Sequence, residues 1–398
     1  MCADVGLGDG LCGTTLALKT LSTAVISGYV TVVVDLGSRH LEPNAAAECA
    51  RHSLELVDAE RFAHKIDSTL RGNWAVELTA RQVHSGGRVL LVPAFPDAGR
   101  TCVDGIVLEH GRPVADGHAG DDPLAPIGSS RPSGHLRLAG ATAIESCTNP
   151  EEVGRWLLGD GAPFAICDAS TNADLEAIAR SWVDLGHDVL LAGTAAAIGA
   201  GARALVSESL RSSAGPGEHE PRSVAVLGAS TGRGAWRRPG SVLVVCGSLN
   251  AVSRRQVTEL AARGAAVAAV EPGGAAERDM RGMSDLVSSL SSGGVGVLVS
   301  ADERSASPGS GETPAGTEHA RELGRVALKL IELANPTTVI IVGGDTAGAL
   351  IGDRSAVVTG TVEVGIPIAT LLMQPELTVV TKAGGFGDPL TLVRLLAE

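Results

Sequence analysis

Short apolar runs rich in β-branched residues recur along almost the whole chain, each followed by a stretch rich in Ala and Leu. In the first half they fall at residues 30–34, 89–92, 164–167 and 189–192. In the second half they fall at 242–246, 265–270, 295–299, 339–342 and 377–381. A strand that is apolar at consecutive positions has no face to offer to water. It must be covered on both sides, as in a parallel sheet between helices. The intervening stretches 173–185, 254–263 and 320–333 carry apolar residues three and four apart, the spacing of a helix face. Strand and helix in alternation predict an α/β architecture.

A chain of 398 residues is long enough for two domains. Its 44% hydrophobic content excludes a disordered chain, and its 51 glycines follow no Gly-X-Y period, which excludes collagen. Aromatics make up 2% and the net charge is -13, so a basic groove with stacking platforms for nucleic acid is not expected. The seven cysteines are odd in number and form no CxxC pair, which points away from a disulfide framework or a zinc site. A reducing, cytoplasmic compartment is the expectation. No apolar run reaches the roughly 18 residues that span a bilayer, and no leader pattern is apparent at the N-terminus.

The polar, Gly/Pro-rich stretch from 212 to 240, broken by a brief apolar run at 224–227, reads as the connection between domains. The boundaries expected are 1–212, a linker at 213–240, and 241–398. Residues 302–317 read as a long surface loop and 117–134 as irregular structure.

Two short motifs invite readings that their surroundings weaken. Residues 8–13 match GxGxxG, and Asp35 lies 22 residues beyond Gly13, the arrangement of a dinucleotide site. The strand that should precede it carries Asp4 and Gly6, and a plain glycine turn explains the match as well. Residues 228–232 match GxSxG, but Arg233, Gly234, Pro239 and Gly240 follow where a nucleophile elbow needs a helix.

The densest polar cluster, Lys65-Ile66-Asp67-Ser68-Thr69-Leu70-Arg71-Gly72-Asn73, ends just before a helix-like segment at 74–83. Arg71 can grip a carboxylate through two hydrogen bonds while Lys65 adds charge. Asp67, Ser68 and Asn73 suit hydroxyl groups. A capped helix start with solvated charges is the alternative reading. Residues 93–101 follow a strand directly and offer Gly99 and Arg100 to an anion, with a proline-rigidified turn carrying a surface arginine as the alternative reading. In the second half, glycine-rich turns at 247–250, 343–346 and 382–388 each follow an apolar strand. Such turns let phosphate approach the backbone, and a neighbouring lysine or acid can serve a phosphate or its magnesium ion. No GxxxxGK[ST] is present, so this is not a P-loop protein.

In order along the chain, the segments KIDSTLRGN (65–73), PAFPDAGRT (93–101) and Asp122-Pro123-Leu124 resemble the four-carbon acid sugar kinase family. GSLNAVSRRQ (247–256), GGDT (343–346), Gly365-Ile366-Pro367 and KAGGFGD (382–388) extend the resemblance through the second half. It implies a sugar-binding N-terminal domain and a nucleotide-binding C-terminal domain, with an active site in the cleft between two mostly parallel sheets. It further implies ATP- and Mg2+-dependent phosphorylation of a hydroxyl on threonate, erythronate or 3-oxo-tetronate. On this resemblance Arg71 and Lys65 take the substrate carboxylate, and Asp67 and Asn73 its hydroxyls. Asp9, Asp35, Ser38, Arg39, Ser68 and Arg100 complete the substrate side. Ser248, Ser253, Gly343, Gly344, Asp345, Thr346, Gly384, Gly385 and Gly387 hold ATP. Lys382 meets transition-state charge, and Asp345 is either base or magnesium partner. No metal ligand is otherwise singled out, and self-association is left open. The scarcity of aromatics implies that aliphatic side chains and backbone hold the base.

One departure stands out. The family's first turn reads Asp-Asp-Leu-Thr-Gly-Ala, whereas this chain has Asp9-Gly10-Leu11-Cys12-Gly13-Thr14. Loss of the second acid leaves open a protein that binds its ligands and turns over slowly. A nicotinamide oxidoreductase built on the first glycine turn is the remaining alternative.

Overall fold

The computed structural model describes residues 2–4, 32–34, 36, 38–39, 41–56, 61–117, 119–120, 126–186, 188–212, 240–271, 280–301, 315–352, 354, 356–363, 366–371 and 374–396. They form two compact units.

In the first unit the elements run β1 (Cys2–Asp4), β2 (Val32–Val34), α1 (Pro43–Leu56), β3 (Phe62–Lys65), α2 (Trp74–Ser85) and β4 (Arg88–Val92). A small hairpin sheet of β5 (Arg100–Val103), β6 (Ile106–Glu109) and β7 (Arg112–Pro113) comes next. The unit closes with α3 (Pro132–Leu138), β8 (Ile144–Cys147), α4 (Pro150–Leu158), β9 (Phe164–Cys167), α5 (Asn172–Leu185), β10 (Val189–Gly193) and α6 (Ala195–Ser212). Its main sheet has the order β2-β1-β3-β10-β4-β9-β8, and every described pairing in it is parallel. β1 connects toward one edge and β3 toward the other. The strand order therefore reverses between these two neighbouring strands.

The helices are fixed by local chemistry. Thr171 and Asp174 form a capping box at the start of α5, and Asn149 caps α4 ahead of Pro150. The far ends of these two helices are held by arginines from the start of the sheet. Arg88 donates to the carbonyls of Trp156, Leu157 and Gly159 and lies 4.6 Å over the Trp156 ring. Arg61 does the same for Val183 and Gly186, 5.1 Å over Trp182. A guanidinium thus meets the negative end of each helix and an aromatic face together.

The second unit runs β11 (Val242–Cys246), α7 (Ala251–Ala261), β12 (Ala266–Val270), α8 (Met280–Ser291), β13 (Val295–Ser300), α9 (Ala315–Ala334) and β14 (Thr338–Val342). It ends with α10 (Gly344–Ile351), β15 (Ala356–Glu363), β16 (Ile366–Leu371), β17 (Gln374–Lys382) and α11 (Thr391–Leu396). Its sheet order is β12-β13-β11-β14-β17-β16-β15, parallel as far as β17 and antiparallel beyond. Alternate residues of β11 enter two separate cores: Leu243 and Val245 on one face, Val242, Val244 and Cys246 on the other. Both faces are covered, as the continuous apolar run requires.

The α/β class with mostly parallel sheets is as expected. Some expectations need correction and others fall outside the described residues. Residues 315–317 of the expected loop are the first turn of α9, and 132–134 of the expected irregular segment begin α3. The hairpin sheet was not foreseen, because its short strands lack an apolar run. The connection at 213–239, the first glycine turn and Asp122-Pro123-Leu124 lie outside the described residues.

Cys102, Cys147, Cys167 and Cys246 are free thiols buried in the cores, and Cys49 is half-buried. Burial pushes all five thiols up, Cys147 to about 11.

Trp182 is fully buried and donates its indole N–H to Val189 O at 2.8 Å. Trp182→Phe should destabilise the first unit by about 1–3 kcal/mol, through the lost hydrogen bond and the space left behind. Denaturant unfolding followed by near-ultraviolet circular dichroism measures this.

Candidate functional site

The cluster 65–73 leaves the carboxyl end of β3, next to the point where the strand order of the first sheet reverses. Its first residue, Lys65, ends the strand, and Ile66 N bonds to Gly193 O at the end of β10. The chain then turns sharply: Leu70 adopts φ +66 and Gly72 φ +85. This folds Asp67, Thr69 and Arg71 around one point. Asp67 is buried, and both its oxygens are used. Arg39 Nη2 donates to Oδ1 at 2.9 Å and Arg71 Nη2 at 3.3 Å. Thr69 N and Oγ1 donate to Oδ2 at 3.0 and 2.5 Å. Burial alone would raise its carboxyl, but Arg71, Arg39, Lys65 and the Thr69 hydroxyl outweigh it and hold Asp67 well below the usual range.

Around this carboxylate lies a small open pocket of about 50 Å³, with Ser38, Arg39, Lys65, Arg71, Asn73 and Glu77 in its wall. Ser38, Arg39, Lys65, Asp67, Arg71 and Asn73 are thus brought together. Several have duties that the sequence does not reveal. Asn73 precedes α2 but makes no cap with its side chain. Its Nδ2 donates instead to Ser38 O and Leu41 O, both at 2.8 Å, strapping the residues after β2 to the helix start. The capped-helix reading of the cluster therefore does not hold at Asn73. Arg71 spends its Nε on Thr69 and Asp67. Arg39 has a quarter of its side chain exposed. Arg100 is buried, pairs with Glu109 across the hairpin at 2.8 Å and donates to Ser68 Oγ at 2.8 Å. It is not the surface arginine of a proline turn. Asp9 and Asp35 lie outside the described residues.

His64 and Glu77 were not foreseen. Glu77 sits one turn into α2, where it accepts from Ser38 Oγ at 2.5 Å and meets His64 Nε2 at 3.0 Å. A lone Glu on an amphipathic helix carries no sequence signal for this role; the partners come from β3 and the residues after β2.

In the second unit the three glycine turns leave β11, β14 and β17, which are adjacent and parallel, so the turns share one edge. β11 connects toward one side and β14 toward the other, so the strand order reverses here as well. The turns interlock. A Cβ at Gly384 would overlap the Ser248 hydroxyl, which would have to turn away to admit it. Gly343 adopts φ +112 and caps α10, with its N–H bonded to Lys382 O at 2.9 Å. Ser253 Oγ donates to Gly384 O at 2.5 Å, and Gln256 Nε2 to the carbonyls of Phe386 and Asp388. Ser248, Ser253, Gly343, Gly344, Thr346, Gly384 and Gly385 thereby gather at one edge. Asp345 is exposed in the first turn of α10. Gly387 adopts φ +80 beside Thr391, and Asp388 is held by both oxygens on Arg394 at 2.9 Å. Lys382 is 1% exposed and donates to Ala383 O at 2.8 Å. Burial lowers its amine from the usual 10.5 to about 8.

Two pH-dependent stabilities follow. Asp67 has a folded pKa below its unfolded one, so its contribution is present above pH ~4 and is lost as the pH falls through the folded value. Asp67→Asn should remove this acid dependence and destabilise the neutral-pH protein by about 1–3 kcal/mol, because it removes the buried carboxylate that Arg39 and Arg71 share. Lys382 has the same sense in a higher window: the unfolded chain binds more protons between about pH 8 and 10.5, so stability should rise with pH across that window. Lys382→Met should flatten that rise, worth roughly 3 kcal/mol at most. Thermal melts of wild type and variants at stepped pH check both.

Comparison with known proteins places these two sites in context. Residues 7–201 match the family model of a sugar-binding N-terminal domain, and 243–392 that of a nucleotide-binding C-terminal domain. A D-threonate kinase from Bordetella bronchiseptica is 30% identical over 369 residues, covering 89% of this chain and 83% of the relative. A D-threonate kinase from Cupriavidus necator is 29% identical, covering 98% and 93%. A 3-oxo-tetronate kinase from Methylobacterium radiotolerans is 26% identical, covering 89% and 86%. A solved structure from Salmonella typhimurium shares the fold with a TM-score of 0.70 at 17% identity, covering 99% of this chain and 98% of that one. With both domain models matched in order over most of its length, the chain belongs to the four-carbon acid sugar kinase family.

Proposed function

We propose that this protein is an ATP-dependent kinase that phosphorylates a hydroxyl of a four-carbon sugar acid, with D-threonate the leading candidate. The observation that carries the reading is end-to-end similarity, through both domains, to relatives named D-threonate kinase. Erythronate and 3-oxo-tetronate are the neighbouring choices, from relatives carrying those names.

The residues support the division of labour. In the first unit we assign the substrate carboxylate to Arg39 and Lys65, with Arg71 shaping the turn, because Arg71 spends both Nε and Nη2 on Asp67 and Thr69 whereas Arg39 gives Asp67 only Nη2. In the second unit the glycine turns offer backbone N–H groups and the start of α10 to the ATP phosphates. Lys382 supplies positive charge from beneath its turn. Chemically, the acceptor hydroxyl oxygen bonds to the γ-phosphorus, the bond to the bridging oxygen breaks, ADP leaves, and the hydroxyl proton passes to a base. Most of the catalysis is then positioning and charge neutralisation. Asp345 is the acid we assign here, as base or as magnesium partner. Among the described residues no three His, Cys, Asp or Glu side chains gather as a metal cage. Mg2+ suits such a site, because it takes one or two carboxylates and fills its shell with phosphate oxygens and water. The assignment keeps partners to small molecules. Among the described residues no helix is long and apolar enough to cross a membrane. A cytoplasmic setting belongs to the same proposal.

A coupled assay of ADP release against D-threonate, D-erythronate and 3-oxo-tetronate should show Mg2+-dependent turnover with at least one acid. Nucleotide binding without turnover on any of them would instead select the weakened binder suggested by Gly10 and Cys12. Arg39→Ala should raise the KM for the acid by about 10- to 100-fold, as expected for losing a charged hydrogen bond. Gly384→Ala should raise the KM for ATP and leave acid binding unchanged.

A further inference from the structure

We propose that Glu77 is the positioning residue of the sugar-acid pocket, acting through Ser38 to fix Arg39. This rests on the reading of that pocket as the acid site and deepens it. Three buried groups from three different segments meet at one carboxylate. Ser38, after β2, donates its hydroxyl to Oε1 at 2.5 Å; His64, on β3, lies 3.0 Å from Oε2; Glu77 itself comes from α2. All three are at most 9% exposed. A carboxylate only accepts hydrogen bonds, so His64 Nε2 carries the hydrogen toward it. His64 Nδ1 is buried and has no partner. That nitrogen is then a lone pair, the less costly of the two states to leave unmatched. Glu77 therefore sets the tautomer of His64 as well as the hydroxyl of Ser38.

The consequence falls on the next residue along the chain. Ser38 is held at its hydroxyl by Glu77 and at its carbonyl by Asn73, 2.8 Å away. Both anchors belong to the beginning of α2. With hydroxyl and carbonyl fixed, the backbone entering Arg39 has little freedom. Its guanidinium reaches Asp67 at 2.9 Å with the side chain a quarter exposed to the pocket. A cation held in place before the ligand arrives loses less entropy on binding than one that must be ordered by it. Glu77 does not need to touch the substrate for this.

The test compares Ser38→Ala, Glu77→Gln and the double variant in the full-length protein. Readouts are the KM for the acid the wild type turns over best, the KM for ATP, and melting temperature. Each single variant should raise the acid KM about tenfold and leave the ATP KM within twofold. The double variant should be no worse than the poorer single, because groups acting as one unit are not additive. Equal rises in both KM values, an unchanged acid KM, or additive effects in the double variant would overturn the proposal. Should Glu77→Gln fail to fold, Ser38→Ala carries the comparison by itself. Calorimetric titration of D-threonate, D-erythronate and 3-oxo-tetronate without ATP separates this from the kinase reading. Weaker acid binding by Ser38→Ala supports the role of Glu77 even if no turnover is found, whereas no acid binding to the wild type would overturn both.

Discussion

Parallel pairing governs everything else in this molecule. A parallel strand cannot return by a tight hairpin, so each crossover must pass over a face of the sheet. In both units this brings helices over both faces and gathers the carboxyl ends of the central strands on one edge. The cluster 65–73 leaves β3 and the glycine turns leave β11, β14 and β17 for that reason. Each set also lies beside a reversal of strand order, the place at which backbone and side chains can face a ligand without an intervening crossover.

The two edges solve different electrostatic problems. In the first unit a carboxylate is taken out of water, and its burial cost is offset by arginines, a lysine and short hydrogen bonds from its own turn. The result is a preset charge pattern in which Asp67 organises cations. In the second unit the described side chains at the edge are mostly small or neutral. There the close contact of Gly384 with Ser248 and the left-handed Gly343 bring the backbone itself forward. One edge presents fixed side-chain charge; the other presents peptide dipoles.

The sequence was most informative where a local rule applied. Apolar runs such as 164–167 and 242–246 coincide with their strands, since a doubly covered strand has few other ways to satisfy its side chains. The motif segments fell at the loop edges because their positions after strands are local facts. Illegible were the functions that depend on a partner far away in sequence. Asn73 reads as a helix cap until Ser38 and Leu41 arrive beside it. Arg100 reads as an exposed cation until the hairpin brings Glu109 to it, and the short strands of that hairpin have no pattern of their own. Glu77 and His64 are ordinary residues of an amphipathic helix and a buried strand; a 39-residue separation to Ser38 hides their connection.

The buried cysteines acquire a meaning beyond packing. Cys102, Cys147 and Cys167 belong to the first unit's core and Cys246 to the second's. Burial keeps each as a thiol rather than a thiolate, so none is nucleophilic while its core is closed. Chemical modification at these positions therefore records core opening, and the site of the adduct tells which unit opened. The chain carries its own pair of unfolding clocks, readable by mass without any introduced label.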